Sequence, residues 1–138
     1  MKVQALIVEG IEGLCAGARF YVRSGCGVTI GRSADCEVSL RDLPGFQKLP
    51  EAERGQDRAF LAISRRHLKI AVINPDHVEL EAVGRHGTLL DGREFGSAIL
   101  TDVRETPHTL RLAGRETFKL QWAEVDDSEV AVKGSPVT

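Results

Sequence analysis

The sequence predicts an all-β protein, an antiparallel β-sandwich built as one domain. Three observations predict it. Short runs rich in β-branched and aromatic residues recur along the chain, separated by Gly, Pro, Asn and Asp. Two of these runs, Leu68-Lys69-Ile70-Ala71-Val72 and His77-Val78-Glu79-Leu80-Glu81, show partial apolar–polar alternation, the period of a half-buried strand. Finally, 138 residues make one domain at roughly 150 residues per domain, long enough for a core without a disulfide or metal staple.

The expected strands follow in order. Val3 to Val8, Arg19 to Val22, Val28 to Ile30 and Val38 to Leu40 form the first group. Leu68 to Ile73 and Val78 to Ala82 flank Asn74-Pro75-Asp76, a turn in which Pro fixes φ and Asp bonds its own backbone. Thr88 to Leu90 leads into Asp91-Gly92, a hairpin signal. Ala98 to Leu100, Thr109 to Leu112 and Thr117 to Trp122 complete the set, with Trp122 and the five Phe residues expected in the core. The polar segment 41–62 interrupts the rhythm. It reads as a long inserted surface loop with one helical turn, starting at Pro50 with Glu51 and Glu53 and ending at Gly55. Residues 1–124 are expected to form the domain, and 125–138 a solvated tail or linker.

Composition narrows the function. Eighteen cations stand against 20 acids, a net charge of −2, which argues against a non-specific nucleic-acid or membrane binder. Thirteen of the cations are Arg, the side chain suited to fork-like recognition of phosphate and carboxylate. Cys15, Cys26 and Cys36 form no CxxC pair, so a reducing, cytoplasmic setting is expected. No apolar window is long enough to span a membrane, and the N-terminus lacks a signal-peptide pattern. His67, His77, His86 and His108 lack metal-ligand spacing, and no cofactor or metal is expected. Ser64 and His67 have no elbow motif or orienting third group, so the reading is not an enzyme.

Three motifs carry the chemistry: Val28-Thr29-Ile30-Gly31-Arg32-Ser33, Ile63-Ser64-Arg65-Arg66-His67-Leu68 and Arg85-His86-Gly87-Thr88-Leu89-Leu90-Asp91-Gly92. Each falls at a strand end or loop, and such loops gather at one end of a sandwich. Together they offer guanidinium, hydroxyl and backbone N–H groups, the donors a phosphate dianion needs.

In these motifs the sequence resembles the forkhead-associated (FHA) family, and the resemblance covers roughly residues 3 to 123. The resemblance rests on Gly31-Arg32, Ser64-Arg65-Arg66-His67 and His86-Gly87-Thr88, and it implies a sandwich of about eleven strands that binds phosphothreonine peptides. It implies that Arg32 holds phosphate and part of the ligand backbone, that Ser64 donates its hydroxyl to phosphate, and that Arg65 adds a second cation. Arg85 and His86 would contact phosphate or peptide; Gly31, His67 and Gly87 would shape and brace the loops. Two departures stand out: His86 replaces the family's Asn, and the 41–62 insertion lengthens the path from Arg32 to Ser64. The implied partner is a protein phosphorylated by a Ser/Thr kinase. The alternative is a phosphate-independent assembly domain, binding through its outer sheet face or to itself. Thr106-Pro107 and Ser135-Pro136 read as turn and tail residues ahead of any role as phosphorylation sites.

Overall fold

The structure is a computed structural model that describes residues 2–84, 87–126, 132–133 and 135–136. Eleven strands lie within 2–126. They are β1 (Lys2–Glu12), β2 (Arg19–Arg23), β3 (Cys26–Gly31), β4 (Val38–Ser39), β5 (Leu68–Asn74), β6 (His77–Ala82), β7 (Thr88–Leu90), β8 (Arg93–Glu94), β9 (Ser97–Leu100), β10 (His108–Leu112) and β11 (Glu116–Asp126). Two short pieces follow, β12 (Val132–Lys133) and β13 (Ser135–Pro136). One sheet runs β12-β2-β1-β11-β10-β7-β8; the other runs β13-β3-β5-β6-β9, with β4 beside β3. Pairing is antiparallel except for β12 on β2 and β4 on β3.

Alternation becomes burial as the strand period requires. Leu68, Ile70 and Val72 of β5 face inward while Lys69 is exposed; Val78 and Leu80 of β6 do the same around Glu79. They meet Leu6, Val8, Leu110, Leu112, Phe118 and Leu120 of the opposite sheet. Phe46, Phe60 and Phe118 are buried as expected, but Phe20, Phe95 and Trp122 are only partly buried and pack at the margin of the core. The Asp91-Gly92 signal is a two-residue hairpin between β7 and β8, with φ of 51° and 85°, the doubly left-handed geometry that suits a twisted ribbon.

The 41–62 insertion is more structured than a surface loop with one helical turn. The expected turn is present as α2 (Glu51–Arg54), with Glu51 and Glu53 in its first turn and Gly55 at its end. A 3-10 turn (Leu40–Asp42), α1 (Pro44–Gln47) and α3 (Arg58–Leu61) accompany it. Asp57 caps α3 by accepting the Phe60 N–H at 2.8 Å. These turns have an apolar anchor. Phe46 and Phe60 stack with ring centroids 4.5 Å apart, and Leu43, Phe46, Phe60 and Ile63 join the core. Each such burial is worth roughly 1.5–3 kcal/mol, enough to hold a single turn that is unstable in isolation.

Candidate functional site

The site begins where β3 ends. Gly31 pairs with Ser39 of β4 on one side, while its Cα faces the backbone of the 64–67 loop on the other. A Cβ on Gly31 would lie 2.0 Å from the Arg65 carbonyl oxygen, so only glycine permits the approach. Two hydrogen bonds close the contact: the Arg32 N–H donates to the Ser64 carbonyl at 3.2 Å and the Ser33 N–H to the Arg65 carbonyl at 3.0 Å. The Cys36 thiol adds a donation to the same Arg65 carbonyl at 3.2 Å. The first two motifs are thereby joined through their backbones, which fixes where their side chains start.

His67 is fully buried and connects this pair to the third loop. Its N–H donates to the Ile30 carbonyl at 2.9 Å, and its carbonyl accepts from Val83 and Gly84 at 2.9 and 3.1 Å. Its Nδ1 accepts the Ser64 N–H at 3.0 Å, which places the ring proton on Nε2. Gly84 lies flat against the ring; a Cβ there would stand 2.3 Å from Nδ1. Gly87 accepts the Ala113 N–H at 3.3 Å, and a Cβ on it would meet the Glu94 carboxylate at 2.9 Å. Arg85 and His86 lie outside the described residues.

Side chains converge on a shallow cavity of about 230 Å³ lined by Arg32, Ser33, Ala34, Arg41 and Arg65. Arg32 is half-buried, and its Nε donates to the Ile63 carbonyl, which leaves its terminal nitrogens as the remaining donors. Ser64 shares the braced loop through its backbone but is not part of the cavity lining. Arg66 points elsewhere, pairing with Asp35 at 2.6 Å. The Ser33 hydroxyl, with Arg66, holds the Asp35 carboxyl below the usual carboxylate range. By contrast, among the described residues no carboxylate forms an ion pair with Arg32, Arg41 or Arg65. Among the described residues the cavity is cationic and carries no compensating ion pair, which suits an anion that brings its own oxygens.

Arg41 belongs to none of the three sequence motifs. It reaches the cavity because β4 lies parallel beside the end of β3, and the 3-10 turn carrying Arg41 begins immediately after β4. Leu40 and Leu43, both buried, pin the backbone on either side of it. The one signal in the sequence was its position at the head of the insertion.

The family model that matches the chain is that of the FHA domain, over residues 28–106, more than half of the chain. The chain belongs to the FHA domain family. No curated protein matches the sequence. Among solved structures, the FHA domain of the CT664 protein from Chlamydia trachomatis is similar at 21 % identity, with 85 % of this chain and 96 % of that one covered and a TM-score of 0.61. An FHA domain described for phosphothreonine-dependent interactions shares 21 % identity over 83 % of this chain and 94 % of its own, with a TM-score of 0.56. Mycobacterium tuberculosis EmbR, solved with a low-affinity phosphopeptide, shares 16 % identity over 85 % of this chain and 24 % of its own, with a TM-score of 0.55. At these identities the likeness establishes the FHA sandwich. The FHA family is one of protein-interaction modules, not enzymes.

Proposed function

We propose that this FHA domain is a phosphothreonine-dependent interaction module acting in Ser/Thr kinase signalling. One observation carries the reading: a cavity lined by Arg32 and Arg65, neither paired with a carboxylate among the described residues, on loops that His67 hydrogen-bonds together. A phosphothreonine carries about −1.5 to −2 charges and three acceptor oxygens at neutral pH. Arg32 and Arg65 supply forked, charge-assisted donors, and the Ser64 hydroxyl adds a neutral one. Arg85 and His86, directly ahead of Gly87, are further contacts to phosphate or peptide. The pocket is preorganised, so its cost of ordering is met during folding and not on binding. Similar domains, one studied for phosphothreonine-dependent interactions and one solved with a phosphopeptide, support the same reading. We place the module in the cytoplasm, where a kinase can phosphorylate its partner; among the described residues no helix is long and apolar enough to cross a membrane.

The test is binding of a degenerate phosphothreonine peptide library, beside its unphosphorylated counterpart and the Arg32→Ala variant. Phosphate-dependent capture that disappears in Arg32→Ala is expected, and the enriched sequences would define the partner. A second reading, phosphate-independent assembly, has one observation in its favour. The outer face of β5, β6 and β9 forms a broad hollow lined by Lys69, Ala71, Glu79, Glu81 and Ile99, the last 56 % exposed. Partner binding that survives Arg32→Ala but fails in Ile99→Asp would favour it.

A further inference from the structure

We infer that a second copy of this chain docks its residues 132–136 into the seam between β2 and β3, so that two copies exchange their C-terminal segments. The seam is where the two sheets end side by side. On this side β2 and β3 are the last long strands of their sheets. β12 lies parallel on β2, with Val132 opposite Tyr21 and Lys133 opposite Val22. β13 lies antiparallel on β3, with Ser135 opposite Gly27 and Pro136 opposite Cys26. One segment thus pairs with both sheets and heads for the Ser24-Gly25 corner that joins them. Without it, the outer edge of β2 and the first half of β3 present unpaired N–H and C=O groups, which invite another chain. β4 covers only Ile30 and Gly31. The far edge of the first sheet is blunted: β8 has two residues, Arg93 and Glu94, both exposed. β2 has five, with Val22 buried and Phe20 packed against the core. It is an edge that needs a strand, and 132–136 is a strand that fits.

Chain length favours a strand from another copy. Val132 stands opposite Tyr21, Tyr21 opposite Ile7, and Ile7 opposite Gln121. Val132 is therefore level with Gln121 and three strand spacings from it, about 14 Å. β11 continues five residues past Gln121 to Asp126, about 17 Å along the strand. Asp126 and Val132 are thus about 22 Å apart. Six peptide steps join them in sequence, and six steps reach about 20–22 Å at full extension. β12 also runs parallel to β11, and a parallel return ordinarily takes roughly a dozen residues or more. A connection this short disfavours closure on its own chain, the condition under which segments exchange between copies. A second copy offers the identical segment without that limit on its approach. The exchange uses the Cys26 end of β3, whereas the cationic cavity adjoins the Gly31 end, so both cavities stay open. Two joined copies would hold a twice-phosphorylated partner more tightly than one. That consequence rests on the phosphopeptide reading; the exchange itself does not.

The experiment reads which chain fills the seam. Pro136→Cys sets a thiol directly opposite Cys26, at a Cα spacing that a disulfide spans. The full chain with this substitution is mildly oxidised at a series of protein concentrations and run on a non-reducing gel. A disulfide-linked dimer is expected, and it should be absent from Pro136→Cys/Cys26→Ala. Sedimentation velocity of the unaltered chain should show the same dimer without a cross-link, its share rising with concentration. Two length variants test the cause. Deleting Ser128 and Glu129 leaves four steps, a reach of about 13–14 Å, and should make the dimer dominant. A flexible Gly-Ser stretch inserted after Asp126 should make the monomer dominant. Cross-linking only within single chains, a monomer at every concentration, or a dimer indifferent to connection length overturns the inference. Failure of Cys26 to capture the new thiol in any form also overturns it, because the segment then does not occupy the seam. A dimer lost in Ile99→Asp and unaffected by connection length places the interface on the outer face of β5, β6 and β9 instead.

Discussion

Gly31 and His67 decide whether the cationic side chains meet at all. Gly31 is not in a left-handed conformation; its constraint is space. A methyl group there would sit 2.0 Å from the Arg65 carbonyl, and backbone, not a side chain, would have to yield. Overpacking of this kind costs typically 1–3 kcal/mol. Gly31→Ala should therefore lower the urea midpoint and also weaken phosphopeptide binding, because the shift separates Arg32 from Arg65. A variant with lowered stability but full affinity would show that the loop contact does not position the site. Both residues could be singled out in the sequence because each lies inside a motif; the buried His67 bonds to Ile30, Val83, Gly84 and Ser64. Arg41 was not legible as a pocket residue. Its neighbours in sequence resemble any polar loop, and its place depends on a parallel β3–β4 pairing that no local pattern encodes.

The insertion is tied to the sandwich by a chain of ionic contacts as well as by Phe46 and Phe60. Asp57 caps α3 and accepts from Arg115 Nη1 at 3.0 Å; Arg115 Nε donates to the buried Glu116 at 2.7 Å. The other Glu116 oxygen accepts the Cys15 N–H at 2.8 Å, which joins the β1–β2 loop to the same network. Burial, together with this carboxylate, pushes the Cys15 thiol up to about 12. Asp57→Ala removes a cap and an ion pair together and strands Arg115 beside Glu116. A loss of roughly 1–2 kcal/mol in denaturant unfolding is expected; a change within a few tenths would mean that the aromatic stack alone holds the insertion. Segments expected as strands became strands, except that β4 stops at Ser39 and Leu40 opens the 3-10 turn, because alternation and turn residues act within a few positions. The pieces that escaped prediction are shorter than those signals: β8, β12 and β13, with two residues each, the 3-10 turn at Leu40–Asp42, and the four-residue helical turns α1 and α3. The helical turns are held by burial of Phe46 and Phe60, and β8, with both residues exposed, by its pairing with β7; a four-residue window displays neither.

Across the whole sandwich, one side chain joins the two sheets at their crossover. His108 opens β10 in the first sheet, and its Nδ1 meets Asp91 of the β7–β8 turn at 2.5 Å. Its Nε2 meets Asp102, just past β9 of the second sheet, at 2.7 Å. Burial alone would favour the neutral ring, but hydrogen bonds and charge from Asp91 and Asp102 outweigh it and raise the His108 pKa above 6.5. For Asp91, burial pulls upward, yet the bonds from His108 and the Thr109 N–H leave its carboxyl below the usual range. The two shifts act on stability in opposite directions of pH. A proton held more tightly by folded His108 stabilises fully below about pH 6.5 and is lost as pH rises through the folded value. A carboxyl held ionised in Asp91 stabilises above about pH 4 and is lost as pH falls through its depressed value. The clamp is therefore strongest between these limits. His108→Gln should destabilise most near pH 5–6, and the gap from the unaltered protein should narrow steadily toward about pH 9. Urea unfolding at a series of pH values measures that gap directly. A gap that stays constant from about pH 5 to 9 would mean that His108 contributes by packing and neutral hydrogen bonds alone, and that the sheets are joined at this crossover without an ionic clamp.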